Sequence, residues 1–283
     1  MSKWDIEYIN LCKEIIDNGT LVKNRTGIDT YKIPFKSFEF DLSEEFPILT
    51  TKFVAFKSAV LEMLWFYQAQ SNDVRWLTDR GVKIWNEWEI DSEGHYQDRI
   101  FDKSLAHTIG TSYGYVVKKY QIMDRLLNSL KNNQTDRRMV MSLWQEECIT
   151  NAVLPSCVWN SMWDVTDGKL NVIVTSRSND VPLGLPFNVT QYAVLLHLLA
   201  SINNLKPGKL YYNSKDLHIY VNQIDGIKKQ IRRYEELGDY PAPKLWINPD
   251  IKDFYKFDNS KDLKDIKLID YNHHGKIKMD VAV

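Results

Sequence analysis

Residues 158–178 read VWNSMWDVTDGKLNVIVTSRS, and this stretch decides the fold class that the sequence predicts. Two runs rich in β-branched and aromatic residues flank Asp167-Gly168, a dipeptide typical of two-residue hairpin turns. Strands joined by so short a turn must be antiparallel, because a parallel pair needs a crossover of a dozen or more residues. The stretch therefore predicts a β-hairpin.

The flanking sequence predicts more strands and several helices. Strands are predicted for YKIPFKSFEFDL (31–42), with Pro34 at a bulge or edge, for RRMVMSLW (137–144) and for KLYYNSKDLHIYVNQ (209–223). Late in the chain, PAPKLWINPD (241–250) and the alternating KIKMDVAV (276–283) extend this pattern. Helical periodicity appears in four segments: 6–16, ending at Asn18-Gly19, then 56–73, 121–133 and 189–204.

These elements predict one domain, residues 1–283, of the α+β class. The charged, irregular segment 89–112 is expected to be a surface excursion, and no repeat or linker divides the chain. We expect a large twisted sheet, mostly antiparallel or mixed, packed with helices.

Composition narrows the functional classes. Lys plus Arg (36) nearly cancels Asp plus Glu (37), which argues against a general electrostatic grip on nucleic acid. We expect no membrane span, because the most apolar stretch, 189–202, is short and includes Gln191 and His197. Three widely spaced cysteines and the absence of a signal-like start favour a cytoplasmic location. Common phosphate-loop and metal-binding motifs are absent, so no metal is predicted.

Cys157, which follows Pro155 and Ser156, has two interpretations. It is either an inert core residue or a nucleophile, and a nucleophile needs a nearby cation to stabilise its thiolate. Arg177, at the end of a neighbouring strand, could supply that charge. With Ser178 it could instead clamp a phosphate, or the segment could be an ordinary turn after a strand.

Two further placements leave alternatives open. Arg137 and Arg138 open a predicted strand and should point to opposite faces, so they are either a solvated pair or include one side chain that lines the core or reaches a second subunit. Glu62 lies in an apolar helix, where it either points to a solvent groove or has the raised pKa of a general acid or base.

Polar and aromatic positions also suggest a ligand site. Strand alternation places Asp216, His218 and Tyr220 on one face, which favours recognition of hydroxyl or phosphate groups. Trp85 and Trp88 are either core residues or a stacking wall for an aromatic ligand.

Taken together, these segments resemble the thymidylate synthase family. The likeness runs nearly end to end and is carried by NGTLVKNRTG, FPILTTK, LEMLWF, IWNEW, DRRMVMSLW, LPSC, SRSNDVPLGLPFN, DLHIYVNQI and the terminal VAV. Many matches in order are far more specific than any one of them. The resemblance implies reductive methylation of dUMP with 5,10-methylenetetrahydrofolate as co-substrate, and a homodimer that meets through the sheet.

The resemblance also implies roles for individual residues. Catalytic roles fall on Cys157, Glu62, Tyr113, Asp180, Asn188 and Arg177. The dUMP contacts would be Arg25, Arg177, Ser178, Asn179, Asp180, Asn188, His218 and Tyr220, with Arg137 and Arg138 donated by the partner subunit. The folate contacts would be Lys52, Ile84, Trp85, Trp88, Asp180, Leu183, Gly184, Phe187 and Ala282, and the last residues, 281–283, would fold over the folate.

Three departures from the family and two rival functions accompany this interpretation. Phe53 and Ala55 follow Lys52 where many members have basic or imidazole groups. Val158 stands where many members have histidine, and Asn86 stands where aspartate is usual. The nearest rival is a dUMP hydroxymethylase of the same fold, which adds water instead of hydride. A nucleotide-binding protein without catalysis is a third reading, and the presence of Cys157 argues against it.

Overall fold

The computed structural model describes residues 2–282. Its helices are α1 (Lys3–Asn18), α2 (Phe56–Tyr67), α3 (Arg75–Thr78), α4 (Gly114–Lys119), α5 (Ile122–Asn132), α6 (Glu146–Ile149), α7 (Gly184–Ile202) and α8 (Ile224–Leu237). Its strands are β1 (Thr20–Val22), β2 (Thr30–Asp41), β3 (His95–Tyr96), β4 (Arg99–Ile100), β5 (Val140–Ser142), β6 (Val158–Thr166), β7 (Lys169–Ser176), β8 (Asn179–Asp180), β9 (Lys206–Tyr220), β10 (Lys244–Ile247) and β11 (Ile266–Ile269).

One mixed sheet organises the described residues. Its strand order is β1-β2-β9-β7-β6-β5, with β8 added beside β9. The predicted hairpin is present: β6 and β7 are antiparallel, and Asp167 and Gly168 adopt φ values of 51° and 70° in the turn between them. β7 and β9 are parallel, and the chain passes from one to the other through α7. The predicted α+β class and mixed sheet are therefore confirmed.

The core lies between the inner face of the sheet and helices α1 and α7, and α2 packs against α7. Helices α2 and α7 are apolar on most sides: 10 of the 12 residues of α2 and 13 of the 19 residues of α7 are buried. The sequence pattern predicts that α7 begins at residue 189, whereas in the structure it begins at Gly184. Its 19 residues are long and apolar enough to cross a bilayer, contrary to the expected short length, but 72% of its most apolar window is buried against protein. This burial is what a core helix requires.

Three other segments differ from the sequence prediction. Arg137 and Arg138 lie in a turn before β5, so alternation along a strand does not set their directions. Residues 276–282 form no strand, and β10 pairs instead with β11 in a separate small sheet. Segment 89–112 contains the short hairpin β3–β4, and its last residues, 108–112, are buried.

A shift in the alternation of β9 turns its polar positions towards a cleft. Up to Ser214 the even-numbered residues of β9 face the core, but beyond Asp216 the core positions are Leu217 and Ile219. Asp216 has a φ of 52°, and the alternation of β9 shifts by one at this position. The register with β2 is the same on both sides of it, because the alternation of β2 shifts as well. Asp216 lies opposite Pro34 of β2. Proline has no backbone N–H to donate to the neighbouring strand, so it tolerates an irregular position in the pairing.

Candidate active site

A cleft of about 960 Å³ opens at the end of the sheet, between α2, α7 and the loops that follow β1 and β7. Most of the predicted site residues line it: Arg25, Glu62, Ile84, Trp85, Trp88, Tyr113, Cys157, Arg177, Ser178, Asn179, Asp180, Leu183, Gly184, Phe187, Asn188, His218, Tyr220 and Ala282. Residues from distant parts of the sequence thus share one concave surface, which is the usual form of a small-molecule site.

Cys157 lies just before β6 and is fixed by contacts from two sides. Its backbone N–H donates to the Tyr113 hydroxyl at 2.9 Å. Arg177 approaches from the end of β7, where Nη2 lies 3.8 Å from the Cys157 Sγ and also donates to the Pro155 carbonyl at 2.7 Å. Nε of Arg177 donates to the Ser156 carbonyl at 3.1 Å, so the guanidinium holds the turn and faces the thiol.

The thiol's environment acts on its pKa in opposite directions. The pKa of the Cys157 thiol lies above its ordinary value, because burial raises it more than the charge of Arg177 and the Tyr113 hydroxyl lower it. Cys12 is a useful contrast, since burial raises its thiol pKa to about 12. Cys148 is buried and does not line the cleft. Cys157 is therefore the cysteine whose position and cationic neighbour suit nucleophilic attack.

Glu62 projects from α2 into the cleft with only 8% of its surface exposed. Its carboxylate accepts hydrogen bonds from Trp85 Nε1 and Gln191 Nε2. Burial raises the pKa of Glu62 to about 7, and the two hydrogen bonds oppose that shift. This burial favours the acid or base interpretation over the solvent-groove alternative, because a carboxyl with this pKa can donate or accept a proton near neutral pH.

An aromatic wall stands on the other side of Glu62. The Trp85 ring lies 5.5 Å from both the Trp88 and Tyr113 rings, and Tyr113 stacks on Phe66 at 4.3 Å. Tyr113 has a φ of 47°, a strained conformation for a residue with a side chain. The wall gives the cleft an apolar flat surface suited to an aromatic ligand.

The Asn188 amide is part of a hydrogen-bonded chain that leads to Glu62. Its Oδ1 accepts from the Tyr212 hydroxyl at 3.4 Å, and its Nδ2 donates to Gln191 Oε1 at 3.3 Å. Gln191 in turn donates to Glu62. Because its neighbours fix the orientation of the Asn188 amide, it can present a defined acceptor and donor edge to a ligand.

Asp180 lies deeper, at the end of β8. Its Oδ1 accepts from the Leu183 N–H at 2.9 Å and its Oδ2 from Gln223 Nε2 at 3.1 Å. Burial raises the pKa of the Asp180 carboxyl, while these hydrogen bonds oppose the shift. The His218 ring lies beside it in the sheet, and its Nδ1 is 2.9 Å from the Asp216 carbonyl oxygen.

Three residues predicted for the site do not line the cleft. Lys52 is buried behind it, where its ammonium donates to the Pro182 carbonyl and burial lowers its pKa to about 8. Arg137 and Arg138 are exposed elsewhere, and Arg138 pairs with Asp136 at 2.9 Å.

Sequence reasoning missed the residues that support the site. Gln191 and Tyr212 orient Asn188, and Gln223 holds Asp180. The spacing of Gln191, three residues after Asn188 on a helix, is a signal that could have found it. Tyr212 and Gln223 meet their partners only through the folded sheet. In residues 2–282, no cluster of His, Cys, Asp or Glu has the form of a metal site.

Comparisons with known proteins agree with this geometry. A sequence model described as thymidylate synthase matches residues 6–283. Thymidylate synthase of Clostridium beijerinckii is 50% identical over 283 residues, with all of both chains covered, and that of Bacillus licheniformis is 39% identical over the full length of both. The solved structure of thermostable thymidylate synthase A from Bacillus subtilis superposes with a TM-score of 0.85 at 37% identity, covering 99% of each chain. The chain belongs to the thymidylate synthase family.

Proposed function

We propose that this chain converts dUMP to dTMP by reductive methylation, with 5,10-methylenetetrahydrofolate as the one-carbon and hydride donor and dihydrofolate as the second product. The observation that carries the proposal is the half-buried Cys157 thiol, which lies 3.8 Å from Arg177 in a cleft that also holds Glu62 and the oriented Asn188 amide. The cleft thus combines a nucleophile, a cation that stabilises its thiolate, a general acid or base and an amide that can recognise the uracil ring.

The nucleophilic step follows from the chemistry of the ring. Carbon 5 of uracil is a weak nucleophile, and attack by the Cys157 thiolate on C6 forms a C–S bond and moves the C5–C6 π electrons towards C5 and O4. Arg177 stabilises the thiolate before attack, and release of the thiol at the end restores it. The Asn188 amide and Glu62 stabilise the charge on the ring amide and O4, and Glu62 is suited to relay protons because its pKa is about 7.

The other subsites fit the two ligands. Arg25, Arg177 and Ser178 offer guanidinium and hydroxyl donors for a phosphate, and His218 and Tyr220 face the same cleft for the ribose. Trp85, Trp88, Leu183 and Phe187 give the flat apolar surface that a pterin requires. The folate supplies a methylene carbon and a hydride when it is bound there. Val281 and Ala282 line the cleft and would help to exclude water; Val283, the last residue of the predicted closing segment, lies outside the described residues.

The product assay tests this proposal. Purified protein with dUMP and 5,10-methylenetetrahydrofolate should yield dTMP and dihydrofolate in equal amounts, measured by mass spectrometry and by absorbance. Formation of 5-hydroxymethyl-dUMP in place of dTMP would overturn the proposed reductive methylation and support the hydroxymethylase function instead. Unchanged dUMP with no dihydrofolate would favour binding without catalysis. We place the reaction in the cytoplasm, in keeping with three unpaired cysteines.

We also propose a homodimer built on the outer face of the sheet. An apolar row crosses four strands there, because Val140 pairs with Met162, Met162 with Ile173, and Ile173 with Tyr211. Val140 and Met162 are 43% and 39% exposed. Arg137 and Arg138 directly precede this row, so pairing of two outer faces would carry them towards the partner's cleft.

The proposed homodimer can be tested by sedimentation. Wild-type protein should sediment as a dimer, and Ile173→Glu should sediment as a monomer, because a carboxylate would be buried in the proposed interface. Leu237→Glu, at the exposed last residue of α8, is the matched control and should stay dimeric. A wild-type monomer at micromolar concentration would contradict the proposed interface.

A further inference from the structure

Gln223 is a buried glutamine whose side chain joins three separate parts of the chain. It follows β9 directly and is 1% exposed. Its Oε1 accepts from the Tyr220 N–H at 3.1 Å. Its Nε2 donates to Asp180 Oδ2 at 3.1 Å and to the Asp280 carbonyl at 3.0 Å. One amide therefore contacts the end of β9, a cleft carboxylate and the last described segment of the chain.

The segment 279–282 is held at two consecutive residues. The Asp280 carbonyl bonds to Gln223, and Met279 packs against the first turn of α8 at Gly226. A Cβ at Gly226 would lie 3.2 Å from both Cε and Sδ of Met279, so the methionine occupies the space that the glycine leaves. The next two residues, Val281 and Ala282, line the cleft.

The same amide completes the hydrogen bonding of Asp180. Asp180 Oδ1 is satisfied by the Leu183 N–H, whereas Oδ2 accepts from Gln223. The two donations from Gln223 share one NH₂ group, whose orientation is fixed by the bond from Tyr220 N–H to Oε1. Withdrawal of the segment would remove one of the two acceptors that hold this group in place.

We propose that Gln223 is a positioning residue that couples docking of segment 279–282 to the orientation of Asp180. The docking contacts stand independently of the reaction, while their effect on turnover rests on the proposed function. Asp180 is fully oriented when the segment covers the cleft, so the site is completed as it closes.

Gln223→Glu separates this role from a purely structural one. The variant keeps one oxygen as the acceptor for the Tyr220 N–H but replaces the donating NH₂ group with a second oxygen, which faces both the Asp180 carboxylate and the Asp280 carbonyl. Trypsin cleavage after Lys278 reports docking, because the Lys278 side chain is 92% exposed while the residues after it are held. We expect cleavage there to become about tenfold faster, and kcat/KM for the folate to fall about tenfold to a hundredfold, with a smaller change for dUMP.

A second variant reaches the segment from the other side. Gly226→Leu should displace Met279 while leaving Gln223 intact, and it should also speed cleavage after Lys278. If the two contacts act on one docked state, the double variant should show less than the sum of the two effects. Gln230→Met is the matched control: this buried glutamine in α8 donates to Thr51 and touches neither Asp180 nor the segment, so cleavage should stay at the wild-type rate.

The outcomes separate this proposal from the proposed function. A Gln223→Glu protein that melts near the wild-type temperature and is cleaved after Lys278 at the wild-type rate would overturn the coupling, whatever its activity. If Gln223→Glu does not fold, Gln223→Met takes its place with the same criterion. Wild-type protein that makes no dTMP would overturn the proposed function alone, since the cleavage rates need no substrate.

Discussion

Replacing Cys157 with alanine is expected to lower kcat for dTMP formation at least about 10⁴-fold, because alanine removes the thiol, and among the described residues no other cysteine lines the cleft. The fold should survive the change. The Cys157 backbone N–H and the bonds from Arg177 to the carbonyls of Pro155 and Ser156 hold this turn without the thiol, and the variant loses only the 3.8 Å contact between Arg177 and Sγ. Steady-state kinetics and the thermal midpoint together check the prediction.

Cys148→Ala is the matched control for this variant. Cys148 is also an unpaired cysteine, nine positions earlier in the sequence, but it does not line the cleft. We expect its variant to keep wild-type turnover. A Cys157→Ala enzyme that retained measurable multiple turnover would remove Cys157 from the mechanism.

Glu62→Gln is expected to lower kcat about 10²-fold or more, because glutamine can neither take nor release a proton and can accept only through one oxygen. The same change should alter how stability depends on pH. The folded pKa of Glu62 is about 7, against the usual 4.5. Between these values the folded state holds a proton that the unfolded state has released.

The sign of the stability effect follows from that difference. In the wild type, the Glu62 contribution to the free energy of unfolding falls as the pH rises from about 4.5 to about 7 and is constant above that. Glutamine has no such dependence, so the stability of the variant relative to the wild type should rise by about 3 kcal/mol across this range. Denaturant unfolding at a series of pH values measures it.

Glu147→Gln provides a control with the opposite sign. Hydrogen bonds from Tyr120 and Lys119 lower the pKa of this exposed glutamate, so its contribution is present above the usual pKa and lost as the pH falls. Its variant should keep full activity. A Glu62→Gln variant whose stability tracked the wild type from pH 4 to pH 8 would contradict the burial argument for this carboxyl.

Local patterns predicted the parts of the fold that depend on neighbours in sequence. Asp167-Gly168 specified the hairpin, and the apolar run from Phe56 specified a buried helix. The shift in alternation at Asp216 was not predictable in the same way, because it occurs together with a shift near Pro34 in the paired strand β2. The start of α7 was also missed, since Pro186 and Gly184 usually mark loops but are tolerated in a helix's first turn.

The cleft residues also divide into those that the sequence predicts and those whose contacts depend on the folded chain. Residue types suggested Cys157, Arg177 and Glu62, and the family resemblance supplied the wider set that the cleft brings together. The supporting bonds of Gln191 and Gln223 arise only when helices and strands pack. Lys52 was placed among the folate contacts, but its ammonium is buried behind the cleft against the Pro182 carbonyl.

The most direct test of the account is the mass of the denatured protein after incubation with 5-fluoro-dUMP and 5,10-methylenetetrahydrofolate. Fluorine at C5 cannot be removed as a proton, so the reaction should stop with the nucleotide and the folate bonded to the enzyme. We predict an increase equal to the sum of both ligands, located by fragmentation at Cys157 and absent from Cys157→Ala. An unchanged mass, or an adduct at Cys12 or Cys148, would contradict the assignment of Cys157 as the nucleophile.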